Sequence, residues 1–99
     1  MFMQIIDREF MDKLSEQAKI SERKRAHFNL HQSMDEAIHR LCMAAEPGTF
    51  VRPHRHLSGD KWELFTILRG QIVVLIFDEK GYVIKRVELT AGGDIWSIE

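Results

Sequence analysis

The segment from Gly48 to Gly70 constrains this chain most strongly, because it places two histidines and a glutamate among short apolar runs. Side chains alternate between the two faces of an extended strand, so His54 and His56 are expected to project to the same side. The polar residues between Leu57 and Lys61 favour a turn, after which Glu63 begins a second strand. Neutral imidazoles and a carboxylate are typical ligands of a divalent zinc, iron, nickel or manganese ion.

The spacing of the two histidines also has a plainer explanation, which stays open. A His-x-His pair on a strand is equally typical of two surface histidines or of two hydrogen-bonded core histidines. The metal interpretation is favoured by Glu63, which shares the parity of Phe65 and Ile67 and would otherwise face an apolar interior without a partner. The sequence therefore predicts one divalent metal ion as cofactor, held by His54, His56 and Glu63.

The same residues resemble a motif of a known superfamily. The first conserved motif of the cupins has this order of residues, which here are Gly48, His54, His56, Glu63 and Gly70. Six residues separate His56 from Glu63, whereas the spacer of the common cupin motif is shorter. More narrowly, the Arg-Pro-His-Arg-His string at 52–56 and the Lys-x-Glu at 61–63 resemble the WbuC-type cupin metalloproteins. That similarity extends from about Arg25 onward.

The resemblance implies a mainly β fold, a cupin-type antiparallel β-barrel (jelly roll) with an N-terminal α-helix. Short strands separated by regular turns favour the same class. We expect a single domain, with an N-terminal helical segment at residues 1–36 packed on an incomplete barrel at residues 37–99. Cupins have a later motif with a further histidine, and the sequence reaches Glu99 before such a residue. The C-terminal strands of the barrel are therefore expected to be missing.

The pattern from His27 to His31 alternates polar and apolar residues, so its polar residues share one face if the segment is extended. The plainer interpretation is an exposed polar strand face. The resemblance to the WbuC-type proteins implies instead that Asn29 and His31 point into the site. There they would contact the substrate or support the metal ligands.

Two basic residues near the predicted ligands are candidates for binding an acidic group of a substrate. Arg52 shares the parity of His54, and Lys61 shares that of Glu63, so both are expected on the metal face. A solvent-facing loop position explains Lys61 equally well. Trp62 has the opposite parity and is expected to belong to the core or to a dimer contact rather than to the ligand site.

The remaining pattern predicts one helix and a series of strands. Asp7 is expected to cap a helix that runs to about Lys19, with apolar residues spaced at i, i+4 and i+8 along one face. Strands are predicted at 41–46, 49–56, 62–68, 71–77 and 82–89, and from Ile95 onward. Residues 78–81, which begin with Asp78 and end with Gly81, are expected to form the hairpin loop between the strands at 71–77 and 82–89. The almost continuously apolar run at 71–77 is expected to be buried on both faces.

Composition limits the classes of partner and location. The 14 Lys and Arg residues are balanced by 15 Asp and Glu, for a formal net charge of -1, which argues against a nucleic-acid or anionic-membrane partner. The single Cys42 lies in an apolar run, where a buried small apolar role is expected, and it predicts a reducing, cytoplasmic location. No apolar run is long enough for a membrane helix. An open sheet edge at the last strand would favour a homodimer.

Three classes of function stay open. The resemblance implies a metal-dependent enzyme that acts on a small sugar-derived or carboxylate substrate, with a link to surface-polysaccharide metabolism. The same pocket would serve a non-catalytic module that binds or senses a small ligand, because fold does not determine function. A structural or interaction protein with a vestigial histidine cluster is the third class. The sequence contains no nucleophile elbow or phosphate loop that would identify a reaction.

Overall fold

The computed structural model describes residues 3–55 and 61–99, which form one helix and six short strands. The helix α1 (Arg8–Ile20) precedes two strands, β1 (Arg25–Asn29) and β2 (Leu41–Ala45). Four further strands follow, namely β3 (Phe65–Thr66), β4 (Gln71–Phe77), β5 (Val83–Thr90) and β6 (Ser97–Ile98). The mainly β class with an N-terminal helix, predicted from the sequence, is confirmed.

The strands pair in three separate two-stranded antiparallel sheets, β1 with β2, β3 with β6 and β4 with β5. Because each of these sheets has only two strands, no closed barrel forms within the described residues. The chain divides into two compact units, Met1–Arg52 and Pro53–Glu99. The first unit contains α1 with β1 and β2, and the second contains the other two strand pairs.

Helix α1 begins where the sequence predicts it. The Asp7 carboxylate accepts a hydrogen bond of 2.9 Å from the backbone N–H of Phe10, which satisfies one of the donors that a helix start leaves without a partner. The helix ends at Ile20, where Ser21 leaves the helical conformation and donates its backbone N–H to the carbonyl of Ala18. Among the described residues, no helix is both long and apolar enough to cross a membrane.

The apolar side of α1 packs on one face of the β1–β2 sheet. Leu14 and Ala18 are buried, and Phe10 contacts Phe28 of β1 edge to face, with ring centroids 5.2 Å apart. Phe28 pairs in register with Cys42, so both side chains belong to the sheet face that meets the helix. Burial raises the pKa of the Cys42 thiol, which keeps this thiol neutral and poorly nucleophilic near pH 7.

The longest strands, β4 and β5, form the predicted hairpin. Gly81 closes the turn with φ of 89°, a conformation that residues with a Cβ rarely adopt. The Asp78 carboxylate accepts hydrogen bonds of 2.9 Å from the backbone N–H groups of Lys80 and Tyr82. The turn is thus stabilised by its own side chain, as the sequence of Asp and Gly residues indicates.

Only one face of this hairpin is covered. Val87 and Leu89 of β5 are buried, and the residues opposite them on β4 are partly buried. On the other face, Val73 and Leu75 are 44% and 42% exposed. The prediction that β4 is buried on both faces is wrong, because within the described residues of this unit no second layer covers that face.

Of the predicted strands, the one at 49–56 is absent over its described residues, and the one at 62–68 is short. Residues 49–55 form no strand, and in the range 62–68 only Phe65 and Thr66 pair, with β6. Pro47 precedes the first segment and Pro53 lies within it, and proline has no N–H to donate to a strand ladder. The predicted histidine strand is therefore wrong over 49–55. Its last residue, His56, lies outside the described residues.

The Asp7→Ala variant is expected to lower the free energy of unfolding by about 1 kcal/mol, because the N–H of Phe10 loses its acceptor. Asp7→Asn is the matched control, since asparagine caps a helix about as well. Urea denaturation followed by circular dichroism measures both. Equal losses in the two variants would contradict the assigned capping role.

Truncation of a buried core residue of the second unit is expected to lower the free energy of unfolding. Leu89 is fully buried, so Leu89→Ala should destabilise the protein by about 2–5 kcal/mol through lost burial and a residual cavity. Leu75→Ala, on the uncovered face of the same hairpin, should cost about 1 kcal/mol or less. Thermal or urea unfolding of both variants tests which face of the hairpin is covered. Similar losses of stability in the two variants would refute the assignment of Leu89 to the covered face and Leu75 to the uncovered one.

Candidate metal and ligand pocket

The second unit contains an open pocket of about 500 Å³. Two of the predicted metal ligands, His54 and Glu63, line this pocket together with Lys61, a predicted substrate-binding residue. The rest of the lining combines charged and apolar side chains, which are Arg55, Trp62, Phe65, Val74, Ile76, Ile98 and Glu99. The structure therefore brings three predicted site residues to one place, although the segments that hold them are not paired strands.

The aliphatic side chains and the phenyl ring of the lining come from strands. Phe65 of β3 and Ile98 of β6 are partners in register, and Val74 and Ile76 stand two positions apart on β4, so each pair shares a face. The charged part and the indole of Trp62 come from irregular segments, at residues 54–55, 61–63 and 99. A bound molecule would thus meet aliphatic and phenyl groups held by the sheets, and charged groups and an indole held by loops.

The charges in the pocket are mixed. Arg55 Nη1 lies 3.9 Å from Glu79 Oε1, and both side chains are largely exposed, so this ion pair is weak. Arg55 and Lys61 give two positive charges to the lining, and Glu63 and Glu99 give two negative charges. The lining is therefore balanced in formal charge before anything binds.

The predicted metal site is only partly within the described residues. Among residues 3–55 and 61–99, no group of three or more His, Cys, Asp or Glu side chains is arranged to hold a metal ion. The third predicted ligand, His56, lies outside this range. His54 and Glu63 supply an imidazole and a carboxylate to the same pocket, a donor pair that suits zinc, iron, nickel or manganese. The metal site stays a prediction.

Trp62 lies where the sequence did not predict it. It was expected to point away from Lys61 and Glu63, yet all three line the same pocket. Alternation between faces applies only within a strand, and residues 61–64 form none. The indole is 60% exposed. The signal that could have identified it is an aromatic residue placed between two charged residues directly after a turn predicted from the sequence.

The other predicted site residues belong to the first unit. Asn29 is the exposed last residue of β1, and Arg52 is exposed at the end of this unit. His31 differs from both, because its side chain is only 8% exposed. Their predicted roles at the metal site stay predictions.

His31 closes the loop that joins β1 to β2. Its Nδ1 lies 3.0 Å from the carbonyl oxygen and 3.2 Å from the backbone nitrogen of Arg40. Its ring stacks on that of His39, with centroids 4.3 Å apart. His39 in turn donates a hydrogen bond of 2.9 Å from Nε2 to the carbonyl of Met34. The two imidazoles therefore connect the two ends of the loop, at His31 and Arg40, with its middle at Met34.

The second ring nitrogen of His31 has a different environment. Nε2 is buried and has no hydrogen-bond partner among the described residues. A buried polar atom without a partner costs about 1–3 kcal/mol, and a polar group bound next to Nε2 would offset that cost. This atom is the feature of the first unit that best fits contact with a ligand.

The His31→Ala variant is expected to lower the free energy of unfolding by about 1–3 kcal/mol, because the loop loses the side chain that bonds to Arg40. The exposed His27 of β1 offers a control of the same residue type. His27→Ala should change the stability by about 0.5 kcal/mol or less. Chemical denaturation compares them, and a neutral His31→Ala would show that the loop closes without this contact.

Comparison with known proteins adds one assignment. No curated protein and no solved structure matches the chain. A family model described as a domain of unknown function, DUF6016, matches residues 6–89, which is most of the sequence and includes the helix, the strands β1 to β4 and nearly all of β5. The chain therefore belongs to the DUF6016 family.

Proposed function

We propose that the second unit binds one divalent metal ion and a small anionic ligand in the pocket described above. The observation that supports this most directly is that His54, Lys61 and Glu63 line one pocket of about 500 Å³. Sites for small molecules have volumes of about 300–1,000 Å³ and combine an apolar lining with a few polar groups. The pocket has both properties.

The metal ion would be held by His54 and Glu63 together with His56. A divalent ion in this position acts as a Lewis acid that polarises an oxygen atom of a ligand. Glu63 would be neutralised by the ion, so the cations Arg55 and Lys61 would then exceed the remaining negative charge in the lining. An anionic ligand is favoured for this reason, and the Lys61 ammonium is the group that would orient its acidic end.

The cupin-type jelly roll and its WbuC-like function are part of the same proposal. Antiparallel pairing of all six described strands supports a cupin-type architecture. The resemblance of residues 52–56 and 61–63 to the WbuC-type proteins supports a small sugar-derived or carboxylate substrate linked to surface-polysaccharide metabolism. A homodimer, in which a partner covers an open sheet edge, completes the proposal.

A non-catalytic module that binds or senses a small ligand is the second candidate. The lining supports it, because an apolar surface with a few charged side chains is sufficient to bind and orient a small ligand. Product formation from the bound ligand separates the enzyme from the binding module.

Metal content is the first test of the proposal. Elemental analysis of protein purified without an affinity tag is expected to find about one equivalent of zinc, iron, nickel or manganese. His54→Ala and Glu63→Gln should each lose most of this metal, because each removes one ligand. Glu63→Gln keeps the size of the side chain and removes only its charge.

The control for this experiment is His27→Ala, which removes an exposed histidine of the first unit and should retain the metal. Circular dichroism confirms that all variants are folded. Absence of metal from the folded wild type would contradict the proposal, and so would full metal content in both pocket variants.

A further inference from the structure

Trp62 presents a large aromatic surface beside the charged residues of the pocket. Its side chain is 60% exposed, and its sequence neighbours Lys61 and Glu63 line the same pocket. An indole gains the free energy of apolar burial only when another group covers it. A ligand in the pocket is well placed to do so, because Trp62 is itself part of the lining.

The shape of the indole selects the kind of ligand that can cover it. Aromatic faces pack best against another flat, weakly polar face, such as an aromatic ring or the C–H face of a saturated ring. Phe65 and Ile76, which are 41% and 38% exposed, add further apolar surface to the lining. A ligand with a ring therefore covers more of the apolar surface of the pocket than a short linear chain does.

The charges of the pocket select the polar end of the ligand. Arg55 and Lys61 both line the pocket, and Lys61 directly precedes Trp62 in the chain, so its ammonium is the cation assigned to the anionic end of a ligand that covers the indole. Glu99 in the same lining keeps its negative charge when a metal ion neutralises Glu63, and it would repel a doubly charged phosphate more than a singly charged carboxylate. A single carboxylate is therefore the favoured anionic group.

We infer that the pocket takes a small cyclic carboxylate, with the ring stacked on Trp62 and the carboxylate paired with Lys61. This inference rests on the proposed function, because it names the ligand class of the same pocket. Sugar acids and apolar ring acids share the required chemistry. D-glucuronate represents the first group and cyclohexanecarboxylate the second.

The experiment measures ligand binding through the fluorescence emission of Trp62. The chain contains two tryptophans, so Trp96→Phe in the full chain leaves Trp62 as the single source of tryptophan emission. The protein is titrated with the two ring acids, with D-glucose as a ring without a carboxylate, and with acetate as a carboxylate without a ring. A saturable change in emission is expected with at least one ring acid and with neither control compound. The acid that responds identifies which of the two ligand types the pocket accepts.

Two variants test the assigned contacts. In the Trp96→Phe background, Lys61→Gln should weaken binding of the responding acid about tenfold or more, through loss of a charge-assisted contact. Lys80→Gln, in the β4–β5 turn and outside the pocket lining, should leave the affinity unchanged. Trp62→Ala, measured by calorimetry in the otherwise wild-type chain, should weaken binding to a similar extent. If Trp96→Phe does not fold, calorimetry on the wild type with the same four compounds makes the comparison.

The inference is overturned if neither ring acid binds, if glucose or acetate binds as tightly, or if Lys61→Gln and Lys80→Gln have equal affinities. Titration before and after treatment with EDTA, together with metal analysis, separates this inference from the metal proposal. A response of Trp62 in protein that never contains metal would refute the metal site and support the ligand assignment. Stoichiometric metal without any response to ring acids would support the metal site and refute the ligand assignment.

Discussion

The antiparallel ladder between β4 and β5 is the interaction on which the second unit depends. It sets Val87 and Leu89 on one face, where they form the buried core of this unit within the described residues. The same pairing orients Val74 and Ile76, and the side chains at these alternate positions of β4 line the pocket. Core and pocket are thus produced by one register, and a slip of one residue would exchange the covered and uncovered faces.

The first unit depends on a different contact, between an amphipathic helix and a strand pair. The carboxylate of Asp7 starts the helix, and the edge-to-face contact of Phe10 with Phe28 joins it to the sheet. His31 then holds the connection between the two strands through Arg40. Local hydrogen bonds therefore define the ends of the elements, whereas apolar contacts hold the elements together.

The pocket combines two kinds of surface because two kinds of segment build it. Paired strands supply the aliphatic side chains and a phenyl ring, whose positions follow from the ladder. Irregular segments supply His54, Lys61, Trp62 and Glu63. The directions of these side chains are not set by strand alternation. Charged groups held by loops beside an apolar surface held by sheets form an arrangement suited to a ligand with one apolar and one ionic end.

The sequence by itself determined the elements whose signals are local. The Asp7 cap, the helix, strand β2 and the Asp78–Gly81 turn were predicted correctly, because capping, periodicity and turn chemistry act over a few residues. The site roles of His54, Lys61 and Glu63, inferred from their spacing, stay predictions, although these residues line one pocket. The tertiary structure decided that residues 49–55, which contain Pro53, find no partner strand, that β4 is covered on one face, and that Trp62 lines the pocket. Each depends on which strands find partners and which faces are covered, and these are contacts between residues far apart in the chain that alternation cannot specify.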